Sequence, residues 1–171
     1  LCENCTNRSS FFRGEVDKYC WVDIGSSFLP SELVAAFLYA QLEHLQDIQT
    51  KRLHLWNNYY NGLKDLEKKG YFSLPYIPPY ATNNAHMFYL VCNNLEDRTN
   101  LIQYLKNNGI QAVFHYLSLH KSPFYKDKHD GRELPNSDKF SDCLVRLPMF
   151  YDLTDEQQNE IIQHIHTFYK S

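Results

Sequence analysis

Hydrophobic positions recur at helical spacing over one long stretch of the chain. From Ser31 onward, apolar residues return every three or four positions, at Leu33, Phe37, Ala40, Ile48, Leu55, Tyr59, Leu63 and Leu66. Ser31 is a suitable N-cap, and Gly70 is a suitable helix stop. An unbroken helix here would be on the order of 57 Å long at 1.5 Å per residue, which exceeds the width of a domain of this size. We therefore predict a break near Gln46 to Thr50, with a shorter helix before it and a long helix after it.

The pattern then changes to short mixed elements. The proline-rich segment from Leu74 to Asn84 predicts a connector, because proline lacks the N–H that a helix interior or a central strand needs. Beyond it, the pattern predicts a strand over Ala85–Cys92, a helix over Asp97–Gly109 and a second strand over Ile110–Tyr116.

The last third of the chain predicts two further helices. Residues Lys121–Ser137 are polar, contain Pro and Gly, and indicate a loop. A short helix and an extended LVRLPMF segment follow, and then a final helix over Leu153–Lys170. Thr154 and Gln157 are spaced as a capping box for that helix.

These elements predict an α/β fold in which helices pack on a small sheet. Residues 1–30 are polar and have no sustained period, so they indicate an irregular segment, and such segments often carry functional residues. We expect three regions: 1–30 as an irregular active-site or interface segment, 31–70 as a long interdomain helix region, and 71–171 as a C-terminal small domain. The chain opens at Leu1 rather than at methionine, which favours an incompletely represented protein.

Composition places the chain among ordinary globular proteins. Its 171 residues are 43% hydrophobic and 22% charged, and no run of apolar residues is long enough to span a bilayer. The formal net charge of -3 gives no basic footprint for a nucleic-acid or membrane partner. Five scattered cysteines without a signal-peptide pattern favour free thiols and a cytoplasmic location. Cys2 and Cys5 form one CxxC without a second pair, so we expect no metal site.

Two histidines have a position typical of binding residues. His115 and His120 fall where the predicted strand ends in a loop, and Tyr116 lies between them. A strand-end histidine paired with backbone is the alternative for each. The other candidates on helices, including His54 and His164, fit structural roles. The chain contains no H-E-x-x-H, G-x-S-x-G, P-loop or G-x-G-x-x-G motif, so spacing alone leaves the chemistry open.

Four segments together carry a family resemblance. TNRSSFFRGEVDKYCWVDIGSSFLPSELVAAFLYAQLE, NAHMFYLV, AVFHYLSLH and LVRLPMFYDLT occur in this order and resemble the DegT/DnrJ/EryC1/StrS sugar aminotransferases. The resemblance implies the C-terminal domain of a fold type I transferase that uses pyridoxal phosphate (PLP). It also implies a homodimer that takes a nucleotide sugar as substrate and glutamate as amino donor.

The same resemblance places the Schiff-base lysine upstream of this chain, in a large PLP-binding domain that we expect to be absent from it. No catalytic residue is therefore assigned, and we expect the isolated chain to be inactive. Lys18 does not match the motif of that lysine. Such a lysine is activated by burial and by neighbouring charge that lower its pKa, and an exposed loop lysine lacks that setting.

Several site residues follow from the resemblance. Ser27 stands where relatives have an asparagine that reaches the cofactor phosphate of the neighbouring subunit, and Leu29 stands where many have arginine. His115 matches a histidine that faces the sugar. Further substrate contacts follow from the same motifs and the FFRGEVDKY loop: Tyr116, His120, Arg13, Lys18 and Tyr19.

Two other functions remain compatible with the sequence. The chain could be a non-catalytic binding or dimerisation module that has kept the fold. It could also belong to a relative that carries out sugar dehydration with pyridoxamine phosphate (PMP), in which the lysine is replaced. The residue that separates these cases lies upstream.

Overall fold

The computed structural model describes Arg13 and residues 30–170, and it divides the chain into two compact units, Leu1–Leu45 and Gln46–Ser171. In the first unit, helix α1 covers Glu32–Glu43. Ser31 caps this helix as predicted, since its hydroxyl accepts a hydrogen bond from the Val34 amide at 3.4 Å. No residue of α1 is buried.

Helix α2 covers Leu45–Lys68 and is the longest helix of the described residues. The predicted break lies at His44, two residues before the predicted interval, because the backbone of His44 leaves the helical region and caps α1. Gly70 ends α2 as predicted and adopts a φ of 80°, which a residue with a Cβ rarely adopts. The buried residues of α2 recur every three or four positions: Leu55, Trp56, Tyr59, Leu63 and Leu66.

The second unit contains a four-stranded antiparallel sheet. Its strands are β1 (Phe72–Ser73), β2 (Phe88–Cys92), β3 (Val113–Phe114) and β4 (Leu144–Leu147), in the order β1-β2-β4-β3. Strand β4 therefore lies between β2 and β3, and both of these strands are antiparallel to it. Cys92 pairs with Phe72, and Arg146 pairs with both Tyr89 and Val113.

Three helices follow α2 in this unit. They are α3 (Leu95–Asn107), α4 (Pro135–Cys143) and α5 (Asp155–Phe168). The predicted capping box begins α5: the Thr154 hydroxyl accepts from the Gln157 amide at 3.2 Å, and the Gln157 side chain accepts from the Thr154 amide at 3.1 Å.

One hydrophobic core joins α2, the sheet, α3 and α5. Its fully buried side chains include Tyr59, Phe88, Leu101, Val145 and Ile165. The mixed α/β fold predicted from the sequence is confirmed, with a long helix and helices packed on a small sheet. The predicted strand over Ile110–Tyr116 is much shorter than expected. The Ala112 amide bonds to the Ile110 carbonyl in a local turn, and pairing with β4 begins at Val113.

Candidate functional site

The chain leaves edge strand β3 at Phe114, and the next two residues are His115 and Tyr116. Their rings meet edge to face, with centroids 4.7 Å apart. The Tyr116 side chain is 81% exposed, and His115 is half-buried. Among the described residues, neither ring has a hydrogen-bond or ion-pair partner. Both polar groups are therefore available to a ligand.

Two neighbouring cavities lie along this loop. One has a volume of about 200 Å³ and is lined by His115, Tyr116 and Phe140, among others. The second has a volume of about 300 Å³ and is lined by His120 and His129, among others. Leu119 and Ser137 line both cavities. The fold thus places His115 and Tyr116 together and points His120 to the adjoining space.

His120 is held by a carboxylate of α4. Its Nε2 lies 3.2 Å from Asp138 Oδ1, and Lys121 Nζ lies 2.9 Å from the same oxygen. The hydrogen bond from Lys121 is the main cause that lowers the pKa of the Asp138 carboxyl from its ordinary value. Asp138 is therefore charged at neutral pH, and His120 already has a partner.

Serine hydroxyls tie the same loop to α4. The buried Ser118 amide donates to Ser141 Oγ at 3.1 Å, and Ser137 Oγ donates to Ser118 Oγ at 3.3 Å. A short 3₁₀ turn, Leu119–Lys121, follows Ser118. The loop is therefore connected to helix α4 by hydrogen bonds.

Sequence reasoning missed His129, Asp138 and the serines. The His129 ring lies 5.1 Å from that of His120, and its Nε2 donates to the Arg132 carbonyl at 2.8 Å. His129 reaches this position because successive turns fold residues 122–129 back on themselves, beginning with the Tyr125 amide on the Ser122 carbonyl. No periodicity in the sequence marks such a reversal.

The remaining predicted site residues are placed as follows. Arg13 is exposed and lies in a turn of the first unit. Lys18, Tyr19 and Ser27 lie outside the described residues.

The helical histidines have structural partners. His54 Nε2 lies 2.9 Å from Asp155 Oδ1, and His166 Nε2 donates to the Gly62 carbonyl at 2.8 Å. His164 Nδ1 lies 3.5 Å from the Tyr104 hydroxyl. These contacts connect α5 to α2 and α3. The three histidines therefore have structural roles that require no bound ligand.

The described residues do not fit the anchoring of PLP. No lysine in residues 30–170 is buried, and all except Lys51 are exposed. An exposed lysine lacks the desolvation that lowers the pKa of a Schiff-base lysine. Within the same residues, no group of three or more metal-ligating side chains could hold a metal ion, and no helix is long and apolar enough to cross a membrane.

The fold is shared with solved aminotransferase structures. The model of the DegT/DnrJ/EryC1/StrS aminotransferase family matches residues 3–166, and the chain belongs to this family.

Two curated relatives support the assignment. The erythromycin biosynthesis sensory transduction protein EryC1 of Saccharopolyspora erythraea is 30% identical over 151 residues, which cover 87% of this chain and 40% of that protein. The 3-oxo-glucose-6-phosphate:glutamate aminotransferase of Bacillus subtilis is 26% identical over 148 residues, covering 83% of this chain and 32% of the relative. The chain thus spans less than half the length of the curated relatives it matches.

Solved structures share the fold. A DegT DnrJ EryC1 StrS aminotransferase from Brucella abortus superposes with a TM-score of 0.75 and 28% identity, covering 96% of this chain and 43% of that one. NtdA from Bacillus subtilis, solved with bound cofactor PMP, has a TM-score of 0.62 and 26% identity, covering 71% and 28% of the two chains.

Proposed function

We propose that the chain forms the C-terminal part of a PLP-dependent aminotransferase that moves an amino group from glutamate to a 4-keto-6-deoxy nucleotide sugar. The Bacillus subtilis relative, whose name gives a sugar phosphate and glutamate as its substrates, supports the donor and the substrate class. NtdA, which holds PMP, supports the cofactor. Bound PLP would act as electron sink and carrier of the amino group. This proposal also includes the division of the chain into an interdomain helix region (31–70) and a small domain (71–171). It includes the homodimer and the cytoplasmic location as well.

The observation that carries the site assignment is the pair of unpartnered rings after β3. An imidazole and a phenol can each donate and accept a hydrogen bond, as recognition of sugar hydroxyls and a keto oxygen requires. His115 is half-buried and lines the cavity of about 200 Å³. We assign His115 and Tyr116 to the sugar. His120, whose partner is Asp138, lies further along the loop from these two rings.

Residues before α1 would complete the site in the whole enzyme. Ser27 would donate to the cofactor phosphate of the neighbouring subunit. Arg13, Lys18 and Tyr19 would bind the diphosphate, for which a guanidinium offers a fork of donors. Resemblance of the four segments given above, which cover nearly the whole chain, to the transaminase that makes dTDP-4-amino-4,6-dideoxygalactose supports that product and a role in cell-surface polysaccharide synthesis.

A histidine comparison in the whole enzyme tests the proposal. Replacing His115 with alanine removes a hydrogen bond to the sugar, so we expect kcat/KM for the sugar to fall about 5-fold to 100-fold. The melting temperature should stay close to that of the wild type, since His115 has no hydrogen bond to a described residue. Steady-state kinetics and thermal unfolding on one preparation measure both effects.

His164→Ala is the matched control. His164 contacts Tyr104 in the packing between α3 and α5, and it lies outside the loop. This variant should lose stability and keep the kinetics of its folded fraction. Equal kinetic behaviour of the two variants, or a His115→Ala enzyme that loses stability alone, would assign His115 to the core.

A further inference from the structure

The loop that carries His115 has little apolar anchorage. Tyr116, Leu117 and Leu119 are 81%, 73% and 64% exposed. Strand β3, from which the loop starts, is a two-residue edge strand whose side chains are also exposed. Burial of apolar side chains therefore does little to fix the position of this loop, and its polar contacts must do so.

Two of those polar contacts converge on one carboxylate. Asp138 Oδ1 lies 2.9 Å from Lys121 Nζ and 3.2 Å from His120 Nε2. Two adjacent loop residues thus approach one carboxylate oxygen, and the Ser118 amide is held separately by Ser141 Oγ at 3.1 Å. The His120 side chain is 13% exposed and that of Asp138 is 27% exposed, so water screens this contact less than a surface ion pair.

The carboxylate is itself held in a defined place. Asp138 lies in the first turn of α4, where the helix dipole favours a negative charge, and its amide donates to the Leu134 carbonyl at 3.0 Å. The other end of α4 is anchored because Ser141 and Cys143 are buried. The titratable groups near this contact include His129, whose ring lies 5.1 Å from that of His120, Asp130, 3.6 Å from His129 Nε2, and Lys128, which lines the same cavity.

We propose that Asp138 is the positioning residue of the sugar-binding loop: by holding His120 and Lys121 on α4, it fixes the backbone that presents His115 and Tyr116. This inference rests on the proposed function of those two rings. Asp138 acts through the loop and has no contact with either ring, so it is a specificity-determining residue at a distance from the sugar.

The first arm of the test is hydrogen exchange on the full chain, which requires no activity. Asp138→Asn keeps the side-chain shape and removes the charge. We expect the amides of residues 118–122 to exchange about 10-fold faster, while those of β4 and α3 keep their protection. Asp138→Glu should restore part of the protection. Asp142→Asn, one turn further along α4, is the matched control and should leave the loop unchanged.

The second arm is the split between the two half-reactions of the whole enzyme. Aminotransferases react with donor and acceptor separately, so each half can be measured alone. We expect Asp138→Asn to reduce kcat/KM for the sugar half about 10-fold and to leave the glutamate half within about 2-fold. A general folding defect would lower both halves by the same factor.

The outcomes separate the two hypotheses. Unchanged exchange in the loop, exchange that rises equally throughout the sheet, or an equal loss in both half-reactions would overturn the positioning role. A wild-type enzyme without transfer to any sugar would overturn the proposed function, and the exchange arm would still decide whether Asp138 holds the loop.

Discussion

Replacement of Gly62 by alanine tests how closely α2 packs on α5. Gly62 lies in the middle of α2, where alanine is intrinsically better by about 1 kcal/mol in a solvent-exposed helix. A Cβ built at this position would lie 2.8 Å from Ile162 Cδ1 and 3.1 Å from Ile162 Cγ2. Cγ2 sits on the branched Cβ of isoleucine and cannot move away by rotation of the outer torsion. The contact with Cγ2 therefore requires a separation of a few tenths of an ångström between position 62 and Ile162.

The energetic cost of that separation decides whether Gly62→Ala raises or lowers the free energy of unfolding. Ile162 is 6% exposed, and inserting a methyl group into a packed core costs about 1 to 3 kcal/mol. The hydrogen bond from His166 to the Gly62 carbonyl resists the same movement. Subtracting the gain in helix propensity leaves a predicted net loss of about 1 kcal/mol in the free energy of unfolding. This corresponds to a decrease in melting temperature of about 2 to 4 °C.

Urea and thermal unfolding of the full chain measure this loss, with two companion variants. Asn61→Ala, at the exposed neighbouring position, gains propensity without a contact and should be stabilising by a few tenths of a kcal/mol. Ile162→Val removes Cδ1, so the double variant with Gly62→Ala should be more stable than additivity predicts, by about 0.5 kcal/mol or more. If Gly62→Ala stabilises the chain as much as Asn61→Ala does, the packing argument is wrong.

Two further predictions concern the core. Tyr59→Phe should lower the free energy of unfolding by about 1 to 3 kcal/mol in urea titration, because it leaves the Pro148 carbonyl without the hydroxyl that donates to it at 2.8 Å; an unchanged midpoint would contradict this. Burial raises the pKa of the Cys92 thiol from 9.0 to about 12, so above pH 9 the folded state keeps a proton that the unfolded state loses. The contribution of this thiol to the free energy of unfolding should therefore fall between about pH 9 and pH 12, by up to about 1.4 kcal/mol per pH unit. Cys92→Ala should flatten this decline, and an identical slope in the variant would refute the assignment. Burial also raises the pKa of Cys143, Tyr59 and Tyr169, so part of the decline should remain in the variant.

The elements that sequence predicts well are those whose signals are local. Ser31, Gly70 and the Thr154–Gln157 pair act within one helical turn, and the structure places each at the predicted helix end. The order of elements around α3 was also predicted. The fold class follows from this order, since helices alternating with short strands must pack on a sheet to bury their apolar faces.

Long-range pairing was not predictable in the same way. In the sequence, β2 and β3 are consecutive strands separated only by α3, but in the sheet β4 lies between them. The length of β3 depends on its register with β4, so no local pattern could show that pairing begins at Val113. Likewise, His120 and Asp138 are separated by a loop whose turns place His129 beside His120, and no local pattern shows this arrangement. Histidine and aspartate are both common at protein surfaces, so neither residue type alone marks the contact.

The contacts that stabilise the core and those that shape the candidate site are largely separate. Tyr59 and Gly62 connect α2 to Pro148 and α5, inside the buried cluster. The loop with His115 instead rests on α4, through Asp138 and serine hydroxyls. Because polar contacts at a half-exposed site contribute little to global stability, a variant there can move the loop without unfolding the domain. The proposed role of the loop therefore predicts that substitutions on α4 affect its position more than the stability of the domain, whereas substitutions at the buried positions of α2 lower stability.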